Sequence, residues 1–137
     1  MAEQIQFELV SPERLLLSRA VDMVVVPGVE GDFGAMPSHA PFISLVRPGV
    51  IAVFEGGQVT DRLFVAGGFA EVTPERCTVL AERALPVGDL RRDKIDEELR
   101  DARDDLTDAK DERERAAAER RIAVGEAMIE AMGTQPY

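Results

Sequence analysis

The chain has 137 residues, enough for one ordinary domain or for a small domain with an appendage. Its formal net charge of -10 at pH 7 would be repelled by a phosphate backbone, so we expect no nucleic-acid partner. The single cysteine, Cys77, excludes an internal disulfide and fits a reducing compartment.

Targeting and membrane signals are weak throughout the sequence. Residues 1–4 (MAEQ) lead directly into a strand pattern, so we expect no signal or transit peptide. No apolar run approaches the roughly 20 residues that a membrane-spanning helix needs. We therefore expect a soluble, intracellular protein without direct membrane insertion.

The composition changes near Pro86 and divides the chain into two parts. All six phenylalanines lie before this residue. Residues 85–137 carry 25 charged side chains, whereas residues 1–84 carry 17. We predict a β-rich domain over residues 1–86 and a helical domain over residues 87–137.

The first part has the pattern of many short strands. In residues 4–9, apolar Ile5, Phe7 and Leu9 alternate with polar neighbours, which predicts one buried and one solvated face. Similar patterns follow at 15–17 and 21–26, which Ser18-Arg19 separates, and then at 42–46, 50–54, 59–66, 69–73 and 77–82. About ten strands with closely spaced turns predict an antiparallel β-sandwich or a flattened barrel.

Residues 24–44 (VVVPGVEGDFGAMPSHAPFIS) are rich in glycine and proline. Glycine permits positive φ and proline removes a ladder donor, so we predict a folded-over loop with a shaped surface. The glycine spacing superficially resembles a phosphate cradle. Met36-Pro37 follows where a helix should begin, and the first lysine is Lys94, so we expect no phosphate binding.

The second part changes to a helical period. Apolar residues recur in steps of four and three, as in the seam between two packed helices. The larger members of this seam are Ile95, Leu99, Leu106, Ile122, Ile129 and Met132, and the smaller ones are Ala102, Ala109, Ala118 and Gly125. We predict a two-helix hairpin, with Thr107 or Asp108 capping the second helix; one continuous helix is the alternative.

Several motifs together resemble the epsilon subunit of the F-type ATP synthase. They are residues 27–34 (PGVEGDFG), 37–41 (PSHAP), 45–49 (LVRPG), 67–72 (GGFAEV) and 78–82 (TVLAE). The resemblance covers essentially the whole sequence. It implies a β-sandwich of about ten strands followed by two helices, in agreement with the pattern.

The resemblance also implies a function. Such a protein is a non-catalytic rotor subunit in the central stalk, which couples rotation of the proton-driven c-ring to ATP synthesis in the catalytic head. It binds the gamma subunit and the c-ring, and its helices can reach the alpha and beta subunits and restrain ATP hydrolysis. Its expected location is peripheral, on the cytoplasmic face of the bacterial inner membrane.

The residues that the resemblance assigns to the gamma and c-ring contacts lie in the glycine- and proline-rich stretch. They are Glu30, Asp32, Ser38, His39 and Pro41. We expect no catalytic residue, metal site or cofactor. His39 is the only histidine and lacks companion ligands or a nucleophile pattern, and the carboxylates of residues 101–114 are interleaved with Arg and Lys as on a solvated helix face.

Some bacterial members of that family bind ATP on the hairpin through an Ile/Leu-Asp-x-x-Arg-Ala motif and arginines on the second helix. Here residues 88–93 read GDLRRD, so Gly88 replaces the aliphatic residue and Asp93 the alanine. Arg120 and Arg121 could serve on the second helix, but an acid at position 93 opposes a triphosphate. We expect no ATP binding.

Two other classes of function have less support in the sequence. A ligand-binding sandwich needs an apolar pocket with convergent polar groups, and the sequence marks none. A small hydrolase needs a nucleophile with a base, or paired carboxylates, and the single histidine lies in no GxSxG pattern. Co-purification with a gamma subunit would support the rotor hypothesis, whereas turnover by the isolated protein would support an enzyme.

Overall fold

The computed structural model describes residues 3–133 and 135–137, and the protein forms two compact units. The first unit contains the residues up to Val87 together with Tyr137, and the second runs from Gly88 to Pro136. The predicted division after Pro86 assigns Val87 and Tyr137 to the helical part. The structure groups both residues with the strands instead.

Ten strands build the first unit. They are β1 (Ile5–Val10), β2 (Leu15–Val21), β3 (Met23–Gly28), β4 (Gly31–Ala35), β5 (Phe42–Val46), β6 (Gly49–Glu55), β7 (Gln58–Val65), β8 (Gly68–Val72), β9 (Arg76–Ala81) and β10 (Ala84–Pro86). They form one curled sheet in the order β10-β7-β6-β3-β5-β8-β9-β1-β2, with β4 beside β3. Adjacent strands are antiparallel except β1 and β9, which are parallel.

Alternation along the strands decides which side chains form the core. Ile5, Phe7 and Leu9 are at most 1% exposed, as their spacing predicts. They share one cluster with Val24 of β3 and Val53 of β6, so the inner faces of distant strands meet. Each large side chain buried in this way contributes about 1.5–3 kcal/mol to folding. The prediction of a ten-stranded sandwich followed by two helices is confirmed.

The predicted break between strands at Ser18-Arg19 is wrong, because β2 continues through both residues. Arg19 opposes Phe7 across the β1–β2 pair. Its guanidinium forms ion pairs with Glu55 and with Asp61. These partners are far away in sequence, and they let a charged residue occupy a strand position that the local pattern marks as a break.

The predicted loop over residues 24–44 is also partly wrong, because its first half is a β-hairpin. Strand β3 runs through Pro27 and Gly28, and β4 returns beside it with Gly28 opposite Gly31. Pro27 has no amide hydrogen to donate, but its carbonyl accepts a hydrogen bond from the Arg47 amide at 2.9 Å. The ladder between β3 and β6 ends at Val25, so the missing amide of Pro27 interrupts no pairing with β6.

The second unit is the predicted helical hairpin and not a continuous helix. A short 3-10 helix (Val87–Asp89) begins at the last residue of the first unit's main segment, and α1 (Arg92–Asp108) and α2 (Glu112–Ala131) follow it. The predicted caps are wrong, since Thr107 and Asp108 belong to the last turn of α1. The cap is Asp111, whose Oδ1 accepts from the Glu114 amide at 2.8 Å. The Glu114 carboxylate in turn accepts from the Lys110 amide at 2.9 Å, one residue before the amide that a capping box engages.

The seam residues differ in burial. Ile95, Leu99, Ala102 and Ala118 are at most 3% exposed. Leu106, Ala109, Ile122 and Ile129 are half-buried, and Gly125 is buried. Met132 was predicted to face inward, but its side chain is 42% exposed, and Met128 and Ala131 are buried instead. Residues 128, 129, 131 and 132 are all apolar, so the pattern alone leaves the facing of this last turn undecided.

Candidate functional site

Groups that could carry chemistry are few in the described residues. The part of the sequence that the structure describes contains no cluster of three or more potential metal ligands. Neither described helix is long and apolar enough to cross a membrane. Burial raises the pKa of the Cys77 thiol to about 12, so this thiol stays neutral at physiological pH. Three exposed surfaces of the sandwich unit stand out as candidate sites.

The first surface is the tight turn between β3 and β4, residues 28–32, here called the Asp32 turn. Gly31 has φ of +134°, a conformation that favours glycine. A side chain at Gly28 would place its Cβ 2.7 Å from the Gly31 carbonyl oxygen, so the two strands approach too closely for any other residue. Glu30 is exposed within this turn.

Asp32 is held by two donors. Arg47 Nη2 donates to its Oδ1 at 2.6 Å, and Tyr137 donates its hydroxyl to Oδ2, also at 2.6 Å. Arg47 Nη1 donates to the Gly28 carbonyl oxygen at 2.6 Å, so the same guanidinium braces the turn. Partial burial raises the pKa of Asp32, but the hydrogen bonds from Tyr137 and Arg47 outweigh it and hold the pKa below its ordinary value. The carboxylate is therefore ionised at neutral pH.

The second surface is the turn between β4 and β5, residues 36–41, here called the His39 turn. Ser38 has φ of +67°, and its amide donates to the Pro74 carbonyl oxygen at 2.8 Å. His39 Nδ1 lies 2.5 Å from the Ala40 carbonyl oxygen and donates to it, so the backbone satisfies this ring nitrogen. Pro41 is exposed. Hydrogen bonds to the backbone thus hold this turn in a fixed shape, as suits a contact surface.

The five residues assigned by resemblance do not form one cluster. Glu30 and Asp32 lie at the start of β4, whereas Ser38, His39 and Pro41 follow its end. The five residues of β4 span about 13 Å at about 3.3 Å per residue. A partner that touches both turns must therefore extend along the strand.

A third surface escaped the sequence analysis. Strand register aligns five apolar residues across β5, β8, β9, β1 and β2, and we call this set the outer row. Its members are Leu45, Phe69, Leu80, Val10 and Leu15. Leu45 is 61% exposed, Leu80 47% and Leu15 55%. Contiguous apolar residues that are partly exposed in this way are typical of an interaction surface.

The next row along the same strands is mostly polar and borders the outer row. It runs from Ile43, itself 61% exposed, through Glu71, Thr78 and Glu8. Glu8 pairs with Arg76 at 2.8 Å. An apolar centre with a polar border is the usual anatomy of a protein interface. In the sequence, this surface is indicated only by strands that carry apolar residues at successive positions, and therefore on both faces of the sheet.

Tyr137 is a second feature that the sequence did not reveal. Besides its hydroxyl contact with Asp32, its ring lies 6.2 Å from the ring of Phe54. Its main-chain oxygen accepts from Arg62 Nε at 3.2 Å and Nη2 at 2.9 Å. Burial, followed by the hydrogen bond to Asp32, raises the pKa of Tyr137 to about 12.

Known proteins of one family are similar to this protein in both of its parts. Residues 4–87 match the model of the β-sandwich domain of the ATP synthase delta/epsilon chain, and residues 91–136 match that of the C-terminal domain of the ATP synthase epsilon chain. The ATP synthase epsilon chain of Rhodospirillum rubrum is 56% identical over 131 residues, which cover 96% of this protein and 98% of that one. The epsilon chain of Paramagnetospirillum magneticum is 61% identical over 112 residues, covering 77% and 84%.

Two solved structures share the fold at low sequence identity. A chain of the Euglena gracilis mitochondrial ATP synthase, from a structure of OSCP, F1 and c-ring, matches with a TM-score of 0.80 and 23% identity. This match covers 95% of the present protein and 82% of the other. A chain of the central stalk and c-ring of the Tetrahymena thermophila mitochondrial ATP synthase matches with a TM-score of 0.73 and 13% identity, covering 97% and 100%.

Proposed function

Because the protein belongs to the family of ATP synthase epsilon chains, we propose that it is a non-catalytic rotor subunit of the central stalk. In this role it couples rotation of the proton-driven c-ring to ATP synthesis in the catalytic head. The complex would hold it at the cytoplasmic face of the bacterial inner membrane as a peripheral subunit. The proposed role of the protein is to bind neighbouring subunits, and this role requires no cofactor.

The outer row is the main structural support for this proposal, because we assign it as the surface that binds the gamma subunit. Three of its side chains are about half exposed or more in the protein by itself. Burying such side chains against a partner gains about 25 cal/mol for each Å² of apolar area. Leu45 and Leu80 flank the half-buried Phe69, so they form the centre of the row.

Co-purification with gamma tests the docking surface. Leu45→Glu and Leu80→Glu each place a charge in the centre of the outer row and should weaken gamma binding at least tenfold, since an unpaired charge is costly to bury. Met132→Glu is the control, because it changes an apolar residue that is also exposed but lies outside the sandwich unit. Undiminished gamma binding by both row variants would reject this assignment, and turnover by the isolated protein would reject the rotor role.

The Asp32 and His39 turns are the proposed contacts with the c-ring and the foot of gamma. They present Glu30, Asp32, Ser38, His39 and Pro41 on short, conformationally restricted segments. Preorganised turns lose little conformational entropy on binding. Asp32→Asn should weaken binding to purified c-rings, and retention of full affinity would remove Asp32 from the contact.

The hairpin is proposed to restrain ATP hydrolysis by contacting the alpha and beta subunits. Ending the protein after Val87 should raise ATP hydrolysis by the assembled complex. The truncation also removes Tyr137, so the full-length Tyr137→Ala variant is the necessary control. Unchanged hydrolysis after truncation would end the inhibitory role and leave the coupling role standing.

We propose that the hairpin does not bind ATP. Arg121 Nη1 already donates to Asp105 at 2.5 Å, so one of the two arginines available for a triphosphate is engaged within the hairpin. Millimolar ATP should leave the amide spectrum of residues 88–133 unchanged. Saturable shifts in that spectrum would overturn this part of the proposal.

A further inference from the structure

Tyr137 lies on a face of the sheet that the strand register defines. Asp32 of β4 and Phe54 of β6 oppose β3 residues that are four positions apart, so both side chains leave the same face. Arg62 of β7 opposes the β6 residue two positions before Phe54 and shares this face. Three strands thus supply a carboxylate, an aromatic ring and a guanidinium to one residue.

The three contacts with Tyr137 differ in kind and together fix its orientation. The Asp32 carboxylate accepts from the hydroxyl at 2.6 Å, the Phe54 ring lies beside the phenol ring, and Arg62 donates to the main-chain oxygen. A hydrogen bond to a charged acceptor is stronger than one between neutral groups. An accidental surface contact would not be expected to satisfy the hydroxyl, the ring and the main chain at once.

Both oxygens of Asp32 are engaged in this arrangement. Arg47 donates to Oδ1 and Tyr137 to Oδ2. Arg47 also braces the turn through the Gly28 carbonyl oxygen, so it is part of the local structure. Tyr137 comes from a position 105 residues away in sequence and makes no such contribution to the turn. It is therefore the donor that a partner would replace.

We propose that Tyr137 is an internal ligand of the Asp32 carboxylate, and that a c-ring docking on the Asp32 turn displaces it. This inference rests on the proposed function of that turn. The expected competitor is a hydrogen-bond donor on a polar loop of the ring. Only molecules in which Tyr137 has left Asp32 can bind the ring. The apparent affinity for the ring is therefore the intrinsic affinity multiplied by the fraction of molecules in that state.

The first experiment detects the contact in the full-length protein without a partner. The sequence has one tyrosine and no tryptophan, so the intrinsic ultraviolet emission reports Tyr137 against a background of phenylalanine alone. Asp32→Asn should change this emission, because it replaces the charged acceptor of the phenol. Glu30→Gln is the matched control, since it removes a carboxylate from the same turn and should leave the emission unchanged. Equal emission from Asp32→Asn and the wild-type protein would overturn the inference.

The second experiment adds purified c-rings in detergent. After the emission of the rings alone is subtracted, ring binding should shift the wild-type emission toward that of the Asp32→Asn variant. Tyr137→Phe, which loses only the hydroxyl, should bind the ring about threefold to tenfold more tightly than wild type, and Tyr137→Ala at least as tightly. An unchanged emission on binding, or weaker binding by either variant, would overturn the displacement while leaving the ring contact intact. Failure of every variant to bind would reject both the ring contact and the inference built on it.

Discussion

Close packing at Gly125 makes the helical hairpin sensitive to a single methyl group. A Cβ at this position would lie 2.6 Å from Leu99 Cδ2 and 2.8 Å from Leu99 Cγ, whereas carbon atoms in contact are normally about 3.5–4.0 Å apart. Leu99 is 3% exposed, so its side chain has little room to withdraw. Gly125→Ala should therefore force a shift in the packing between α1 and α2.

Two opposing terms set the magnitude of this effect. Overpacking a well-filled site costs about 1–3 kcal/mol. Replacing glycine by alanine inside a helix gains about 1 kcal/mol. The net expectation for Gly125→Ala is a destabilisation of the hairpin by about 0–2 kcal/mol. Without the contact to Leu99, the same change would stabilise the hairpin by about 1 kcal/mol.

The sign of the effect should reverse when Leu99 is shortened. Leu99→Ala alone should cost about 2–5 kcal/mol, and in that background Gly125→Ala should stabilise, because the clashing atoms are gone. Ala123→Gly, at an exposed position of the same helix, measures the propensity term alone. Hydrogen exchange of the α1 and α2 amides in the full-length protein reports the stability of each variant. Equal stabilisation by Gly125→Ala in both backgrounds would refute the packing argument.

Three further predictions concern the sandwich unit. Gly68→Ala should lower the free energy of unfolding by at least about 2 kcal/mol, because φ is +154° and the new Cβ would lie 2.0 Å from a β9 carbonyl oxygen. Gly57→Ala, at a position with positive φ but open space, should cost less in the same denaturant titration. Equal costs for the two variants would contradict the clash. Cys77 should resist thiol reagents at neutral pH until the protein unfolds, because burial raises its pKa to about 12; rapid labelling of the folded protein would contradict this. The Tyr137 pKa of about 12 lies above the ordinary value of about 10, so its contribution to stability should be present below about pH 10 and disappear as the pH rises to about 12. Asp32→Asn should lower that pKa in an absorbance titration, and an unchanged titration would show that burial alone raises it.

The local sequence pattern predicted much of the fold. The alternation of Ile5, Phe7 and Leu9 predicted their complete burial, and the change of period near Pro86 predicted the helical part. The pattern failed at Arg19, where ion pairs with distant strands support a charged residue inside β2. It also failed to identify Asp111 as the helix cap, because several residues between the helices are chemically suited to that place.

The sequence likewise indicated some of the candidate surfaces and not others. Resemblance in residues 27–41 pointed to the two turns, and the glycines that shape the Asp32 turn are visible in the sequence. The outer row is not visible there, because Leu45, Leu80 and Leu15 become neighbours only through strand register.

The sequence by itself determined the order and type of most elements, since helix and strand periods depend on neighbours a few residues apart. Only the tertiary structure decided which apolar side chains remain on the surface and which residue meets the Asp32 carboxylate. The physical reason is that Tyr137 reaches Asp32 across 105 residues of sequence, through a path set by sheet order and not by any local preference.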